Sequence, residues 1–498
     1  MQDTDAQKTE TALFSDMPGD EGLPGRQRRL AMLAVMTATT MAVFDGTIVN
    51  IALPQIAAAM HVTAATAVWV SNAYLLSVAI SLATFAALAK RLGFRALFVG
   101  GLIVFTLASV GCALSASIGW LTVMRVLQGL GGAATLSIAP AIHRTIFPNR
   151  LLGRILGLHA LLIATSTAIA PILGGTLLSM LGWQWIFAVN VPLGIVGVTL
   201  ALRTVPGTRI ATRDPFDVAG ALLSAVAMAA LILGADACSQ LASGERTFVA
   251  VLTPIGYALA TVAAGMAFIW RQRRAKEPLL PLDLFASSRF SMAALTSLAS
   301  FVGQGITFIA LPMLFENAYA HSAFVSALIF TPWPLGIILA APHAGRLADR
   351  YHPALLATLG LAVFAIGLAL LALLPYPAPP WQIGWRELIC GVGFGFFQSP
   401  NNREMLANAS RARSGNASGV LAIVRTFGQC LGAALVGVIL SVYGTQTVTD
   451  GARLSGAVPI VLAVRLALWV AVAAVLAGLA ISTARVWRRI EAVNTRPQ

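Results

Sequence analysis

The chain has 498 residues, of which 58% are hydrophobic and only 10% charged, with a formal net charge of +14. Soluble domains carry roughly 25% charged residues, so this composition excludes a string of soluble domains and defines an integral membrane protein built from apolar helices. What the positive excess excludes depends on where it sits along the chain.

The first 29 residues are polar and mixed in charge, and the apolar segment after them is too long for a cleavable signal. Apolar runs then predict spans over about 30–55, 67–89, 96–116, 120–142, 154–180 and 184–202, followed by two over about 217–239 and 247–270. Six more follow over about 291–316, 322–345, 354–374, 381–400, 418–443 and 457–484. With fourteen spans so placed, 27 of the 33 Lys and Arg residues fall in the tails and even-numbered loops, and only Arg246 and Arg453 in the odd ones. The positive-inside rule therefore puts both termini in the cytoplasm. The surplus charge reads as topology, and nucleic acid is excluded as a partner.

Two stretches of this chain resemble each other. "WLTVMRVLQGLGGAATLSIAP" from Trp120 and "WQIGWRELICGVGFGFFQSP" from Trp381 each carry a Trp, an Arg five residues on, closely spaced glycines and a final Pro. This aligns Arg125 with Arg386, an offset of 261; Lys90-Arg91 against Asp349-Arg350 gives 259, and Gly153 against Gly415 gives 262. An offset near 260 makes the matching helices eight apart, so helices 1 to 6 repeat as 9 to 14 and helices 7 and 8 are an insertion. Parallel repeats about an axis along the membrane normal are the architecture of a rocking transporter with its site between the halves. The expected division is a cytoplasmic tail (1–29), a six-helix bundle (30–203), the inserted helices (214–271), a cytoplasmic interfacial linker (272–290), a second six-helix bundle (291–485) and a cytoplasmic tail (486–498).

The motifs "FDGTIVNIALPQIA", "RVLQGLGGAA", "APILGG", "WQWIFAVNVPLG" and "SGNASGVLAIVRTFGQCLGAALVG" resemble those of the major facilitator superfamily, specifically its 14-helix drug:proton antiporters. The resemblance implies an all-α integral membrane fold of two six-helix bundles plus two inserted helices, in a bacterial plasma (inner) membrane. It also implies rocking, proton-coupled efflux of small molecules, with no catalytic residues and no cofactor. The loop after helix 2 departs from the family pattern, with Lys90 where Asp is usual, followed by Arg91 and Arg95; the second copy keeps Asp349 before Arg350. Asp349 is thus the better acidic partner for a cytoplasmic gating latch.

Asp45 is the only charged residue between Arg29 and Lys90, about fifteen residues and roughly 22 Å into the first expected span. A charge at the centre of a membrane helix costs about 2.5–3.5 kcal/mol on insertion scales, so an intramembrane carboxylate defaults to a functional group with a partner. The expected partner is Arg125 in helix 4. Asp45 then reads as a proton carrier that also attracts cationic substrate, against a static ion pair with Arg125. Gln128, one turn on, orients the guanidinium, touches substrate or makes a packing hydrogen bond. Asn50 either lines the pathway or bonds a neighbouring helix, and Arg425 either lines the cavity or holds a backbone carbonyl. Pro171, Gly174 and Gly175 bend helix 5 and remove side chains, so that another helix approaches closely and one side is sealed.

Asp236 and Glu316 read as helix-end residues, and Glu387 follows Arg386 but points about 100° away from it. The four cysteines and six histidines form no metal or disulfide pattern. No nucleophile-base set or phosphate loop marks an enzyme. The readings that remain are an exporter of amphiphilic or cationic compounds, an exporter of a metabolite or siderophore, and a nontransporting membrane sensor. Expected partners are small-molecule substrates, protons and the lipid bilayer, with a periplasmic adaptor and outer-membrane channel left open.

Overall fold

A computed structural model describes residues 22–148, 151–207, 217–242, 248–275, 279, 282–407, 414–444 and 457–494, apart from the side chains of some helical positions such as Lys90, Gly153, Asp236 and Asp349. Residues 1–21 and 495–498 of the tails, positions 276–278, 280 and 281 of the linker, and Arg246 and Arg453 lie outside the described residues.

The helices are α1 (Gly25–Ala59), α2 (Ala64–Leu92), α3 (Phe94–Ala113), α4 (Ile118–Ile146), α5 (Leu152–Met180), α6 (Gln184–Ala188), α7 (Asn190–Thr204), α8 (Val218–Ala242) and α9 (Phe248–Arg274). After a short 3-10 turn at Leu282–Ala286 come α10 (Ser288–Met313), continued by a π turn (Leu314–Ala318), then α11 (Ala323–Phe330), α12 (Pro332–Arg350), α13 (Pro353–Ala372), α14 (Pro380–Ala407), α15 (Ser414–Gly444) and α16 (Ala457–Asn494). Each expected span therefore coincides with a helix or a broken helix. Among the described residues, eleven are long and apolar enough to cross a membrane. Of the other three, α5 and α8 contribute shorter apolar stretches, Thr165–Met180 and Val218–Gly234, and α14 carries Arg386, Glu387, Arg403 and Glu404.

Local chemistry sets the boundaries. The hydroxyls of Thr63, Ser117, Ser287 and Ser322 accept from the third following backbone N–H and so cap α2, α4, α10 and α11. Gly93, at φ 85°, makes the corner between α2 and α3 that an L side chain resists. Pro192 has no N–H for the carbonyl of Ala188, which accounts for the break between α6 and α7. Pro332 begins α12 after the turn at Thr331.

The helices pack as two groups with the same internal pattern. In the first, α2 and α3 pack on α4, α1 on α5 and α7, and α3 on α7; in the second, α12 and α13 pack on α14, α10 on α15 and α16, and α13 on α16. The groups meet through α1 against α10, α2 against α15, and α5 against α11 and α12. α8 and α9 pack on each other, and α8 also rests on both α2 and α15.

Glycine contacts correct the repeat register. A Cβ on Gly129 would lie 2.6 Å from the Tyr74 carbonyl oxygen, and one on Gly391 would lie 2.0 Å from that of Trp333 and 3.1 Å from the Gly336 Cα. On the other side of the same helices, Gly131 meets Gly101 and Phe105 of α3, and Gly393 meets Val363 and Phe364 of α13. Gly129 with Gly391 and Gly131 with Gly393 give an offset of 262. The backbone thus equates Arg125 with Glu387. Arg386, the residue aligned by likeness of charge, is one position out of register.

The core divides by height. The start of α1 lies beside the last turn of α4, where the Leu23 N–H donates to the Ile146 carbonyl, at what is here the basic end. At the far end a single apolar core joins the groups, running from Ile48, Ile51 and Ile56 through Phe308 and Leu311 to Ala323, Ala327, Val436 and Leu440. Toward the basic end there are separate clusters, one spanning Ala31 to Ile155 with Cys430 and Ala434 of α15, the other formed by Leu284, Phe290, Ala293, Met405, Ala417 and Val420. The groups are closed against each other at the far end.

Candidate functional site

α1 begins at Gly25, five residues earlier than the expected span, so Asp45 lies about 30 Å along it. Its carboxylate is enclosed entirely within the first helix group. Oδ2 pairs with Arg125 Nη1, and Oδ1 accepts from Gln128 Nε2 at 2.9 Å and from Asn190 Nδ2 at 3.0 Å. Asp45, Arg125 and Gln128 are all 0% exposed, so the pair is shielded from both membrane faces and from lipid. Two charges buried this deeply persist because the geometry and added hydrogen bonds offset desolvation.

Arg125 is held by more than Asp45. Its Nε donates to the Val70 carbonyl at 2.9 Å, and Nη1 donates also to Gln128 Oε1 at 2.7 Å. Arg125 and Gln128 are three apart on α4 and share a face, as sequence spacing requires. The Tyr74 ring covers the guanidinium with 4.4 Å from Cζ to the ring centre, and Phe187 covers it from 5.5 Å, both within cation–π range. Tyr74 is fixed in turn by donating its hydroxyl proton to the Ala42 carbonyl at 2.8 Å. Gln128 Nε2 also donates to Ser109 Oγ at 2.8 Å, and the Ser109 hydroxyl donates in turn to the Phe105 carbonyl. Arg125 Nη2 and Asn190 Oδ1 have no hydrogen-bond partner among the described residues.

Three of the expected residues, Asp45, Arg125 and Gln128, therefore meet in one cluster, and three more join it unannounced. Asn190, Ser109 and Tyr74 are common polar residues in apolar helices, and their roles depend on contacts across up to 145 positions of chain. The one available signal was Asn190 itself, an amide two residues before the helix-breaking Pro192.

Other expected residues lie elsewhere. Asn50 accepts from the Ser71 hydroxyl at 2.8 Å and ties α1 to α2. Arg425 is half-buried on α15 near the boundary between groups, where its charge is felt by Tyr74 and His159. Pro171 is buried in α5; a Cβ on Gly174 would strike Ile48 of α1 at 2.5 Å, and one on Gly175 would strike Ala327 and the Ala323 carbonyl of α11 at 2.6 and 2.8 Å. Arg95 donates to the Leu202 carbonyl of α7. Arg91 is half-buried, Arg350 is exposed, and the side chains of Lys90 and Asp349 lie outside the described set.

Glu316 is half-buried in the π turn with Oε1 unpartnered, a more enclosed place than a solvated helix end. A second polar cluster at the basic end of the second group went unread in the sequence. Arg485 pairs with Glu404 at 3.4 Å and donates to Asn401 at 3.0 Å, and Asn401 donates to Ser297 at 2.8 Å, tying α16, α14 and α10 together.

A bundle of apolar helices in two like-packed groups, with a charge pair sealed inside one of them, is the form of a multi-pass membrane transporter and not of an enzyme. Residues 35–433 match the family model described as Major Facilitator Superfamily, and the chain belongs to that family. Among its relatives, an uncharacterized transporter, YebQ of Escherichia coli (strain K12), is 42% identical over 427 residues, covering 85% of this chain and 92% of the relative. The tetracenomycin C resistance and export protein of Streptomyces glaucescens is 31% identical over 425 residues, covering 84% and 77%. In fold, the chain matches a bacterial homolog of the human lysosomal transporter Spinster, solved in an inward-facing, unoccupied conformation, with a TM-score of 0.66 at 16% identity over 92% of this chain and 97% of that one.

Proposed function

We propose that this transporter exports amphiphilic or cationic compounds in exchange for protons, and that Asp45 carries the proton. The observation that carries this reading is the way Arg125 is held. Its guanidinium keeps the Val70 carbonyl, the Gln128 amide oxygen and the Tyr74 ring when Asp45 is neutral. Protonating Asp45 therefore does not strand a buried cation, which would otherwise be costly. The unpartnered Arg125 Nη2 and Asn190 Oδ1 give the cluster room to re-pair. An acid whose charge and partners change as the helix groups move is the element that couples proton to cargo.

The charge distribution supports fourteen spans with the basic end in the cytoplasm of a bacterial inner membrane. In that orientation the far-end closure is the periplasmic one, and the described conformation faces the cytoplasm. Export of amphiphiles is supported by the likeness to the tetracenomycin C exporter.

The test is dye or drug transport driven by an imposed pH gradient in proteoliposomes. Wild type is expected to transport with the gradient, and Asp45→Asn to bind substrate but not respond to the gradient. Wild-type gradient response in Asp45→Asn would reduce the cluster to a structural ion pair.

A further inference from the structure

The position that holds Arg125 in the first group holds Glu387 in the second. Glu387 is 0% exposed, and neither carboxyl oxygen has a hydrogen-bond partner among the described residues. Arg386 does not serve it, since that side chain donates to the Gln382 carbonyl at 2.6 Å and lies over the Trp385 ring.

Ile383 and Phe394, one turn before and two turns after Glu387, share its face of α14. Phe394 packs edge-on against Phe301 and Phe364, and Trp333 packs edge-on against Phe308 and Phe364. The carboxyl therefore faces an aromatic slab from α10, α12 and α13, where the first group has amides and a carboxylate.

Among the described residues no opposite charge reaches it from the helices packed on α14. α11 and α13 contain no titratable residue. Those of α12, His343, Arg346, Asp349 and Arg350, lie at least ten residues toward the basic end from Trp333, and Arg289 of α10 is at that end as well. The charge of Arg425 on α15 acts on Tyr74 of the first group, and on α14 itself the nearest titratable group besides Arg386 is the buried thiol of Cys390. An ionised carboxylate with no donor and no counter-charge does not persist in such surroundings, so the group is present as the neutral acid.

Two buried donors on helices packed against α14, Trp333 Nε1 on α12 and Ser326 Oγ on α11, are without a partner among the described residues. Ser326 adjoins Ala327, which seats against Gly175 of α5 at the far-end closure, and α11 is separated from α12 by the turn at Thr331. A shift of α11 that breaks the closure therefore also alters the donors and the water available around α14.

We propose that Glu387 is a second proton-binding site, loaded as the carboxylic acid while α11 is seated on α5 and releasing its proton to water when α11 leaves. Its part in the transport cycle rests on the proton-coupled reading above; its loaded state in this conformation does not.

Infrared spectroscopy of the purified protein in lipid tests the loaded state through the carbonyl stretch of a protonated carboxylic acid. The band is expected in wild type at neutral pH, shifted in Glu387→Asp, lost in Glu387→Gln and kept in Asp45→Asn. A wild-type spectrum without a band that responds to both Glu387 variants overturns the proposal. Gradient-driven transport then tests release: Glu387→Gln, fixed in the neutral form, is expected to lose the wild-type pH dependence. Wild-type dependence in that variant would make Glu387 a static buried acid and overturn release, leaving Asp45 untouched. A band that behaves as expected in a protein indifferent to any pH gradient would instead sink the exchange mechanism and leave the Glu387 site standing.

Discussion

Arg125 and Glu387 occupy one backbone position in two similarly packed helix groups, with opposite charge and opposite surroundings. Around Arg125 the first group supplies Asp45, Gln128, Asn190, Ser109 and two aromatic faces, so that a charge is stable there. Around Glu387 the second group supplies aromatic edges and Cys390, which stands where Gln128 stands in the first. The repeat preserves the close backbone approaches at Gly129 with Gly391 and Gly131 with Gly393 while its polar content has diverged completely. Shared packing sets where a helix lies, and the side chains that fill the remaining space decide which protonation state that position tolerates.

The comparison breaks most visibly at the ion pair. Arg125→Ala leaves Asp45 buried without a cation, and the loss is expected at about 3–5 kcal/mol, read as a fall in the thermal unfolding midpoint of the purified protein. Glu387→Gln removes no partner and is expected to leave that midpoint close to wild type. Next in size are the glycines, where the two groups should behave alike. Gly131→Ala and Gly393→Ala each push a methyl into backbone, and both are expected to reach or exceed the upper end of the ~1–3 kcal/mol typical of overpacking. Folded protein recovered from membranes in either variant alone would show that the shared approach matters in one group only. Asn190→Ala removes one of two amide donors to Asp45 Oδ1 and is expected to cost about 1–2 kcal/mol, with partial loss of transport that Asn190→Gln does not restore because its longer side chain overshoots.

The smallest effect lies in the hairpin that has no counterpart in the repeat. Asp217, just before α8, accepts from Arg271 at 2.8 Å, from Gln272 at 3.0 Å and from the Gly220 N–H at 2.9 Å. Burial pushes its carboxyl up, but these donors outweigh burial and hold it below the ordinary range. With a folded value under the unfolded one of about 3.9, the clasp contributes fully above that pH and is lost as pH falls through the folded value. Asp217→Asn is expected to cost about 0.5–1.5 kcal/mol, confined to α8 and α9, and to show as faster hydrogen exchange there at neutral pH, with the difference from wild type vanishing in acid.

Much of this was legible in the sequence, and the reasons differ by element. Long apolar runs fixed the helix positions because the bilayer permits few alternatives. Asp45 and Arg125 stood out because isolated charges in such runs are rare. Asn190, Ser109 and Tyr74 did not, because each is ordinary in a helix and acquires its role only through a partner far away in the chain. The repeat was visible but misread by one position, since the eye aligns Arg125 with Arg386 while the backbone aligns glycines whose missing side chains set the helix contacts. That single position also concealed Glu387.

α8 lies across α2 and α15, whereas the opposite seam, where α5 meets α11 and α12, has no comparable helix laid over it among the described residues. The inserted pair thus acts as a splint on one flank only. Any relative motion of the two groups would have to slide beneath α8 on that flank, while on the other no helix of the described residues would resist it. One seam is thus braced and the other is not, so the near-symmetry of the helices does not extend to their mechanics.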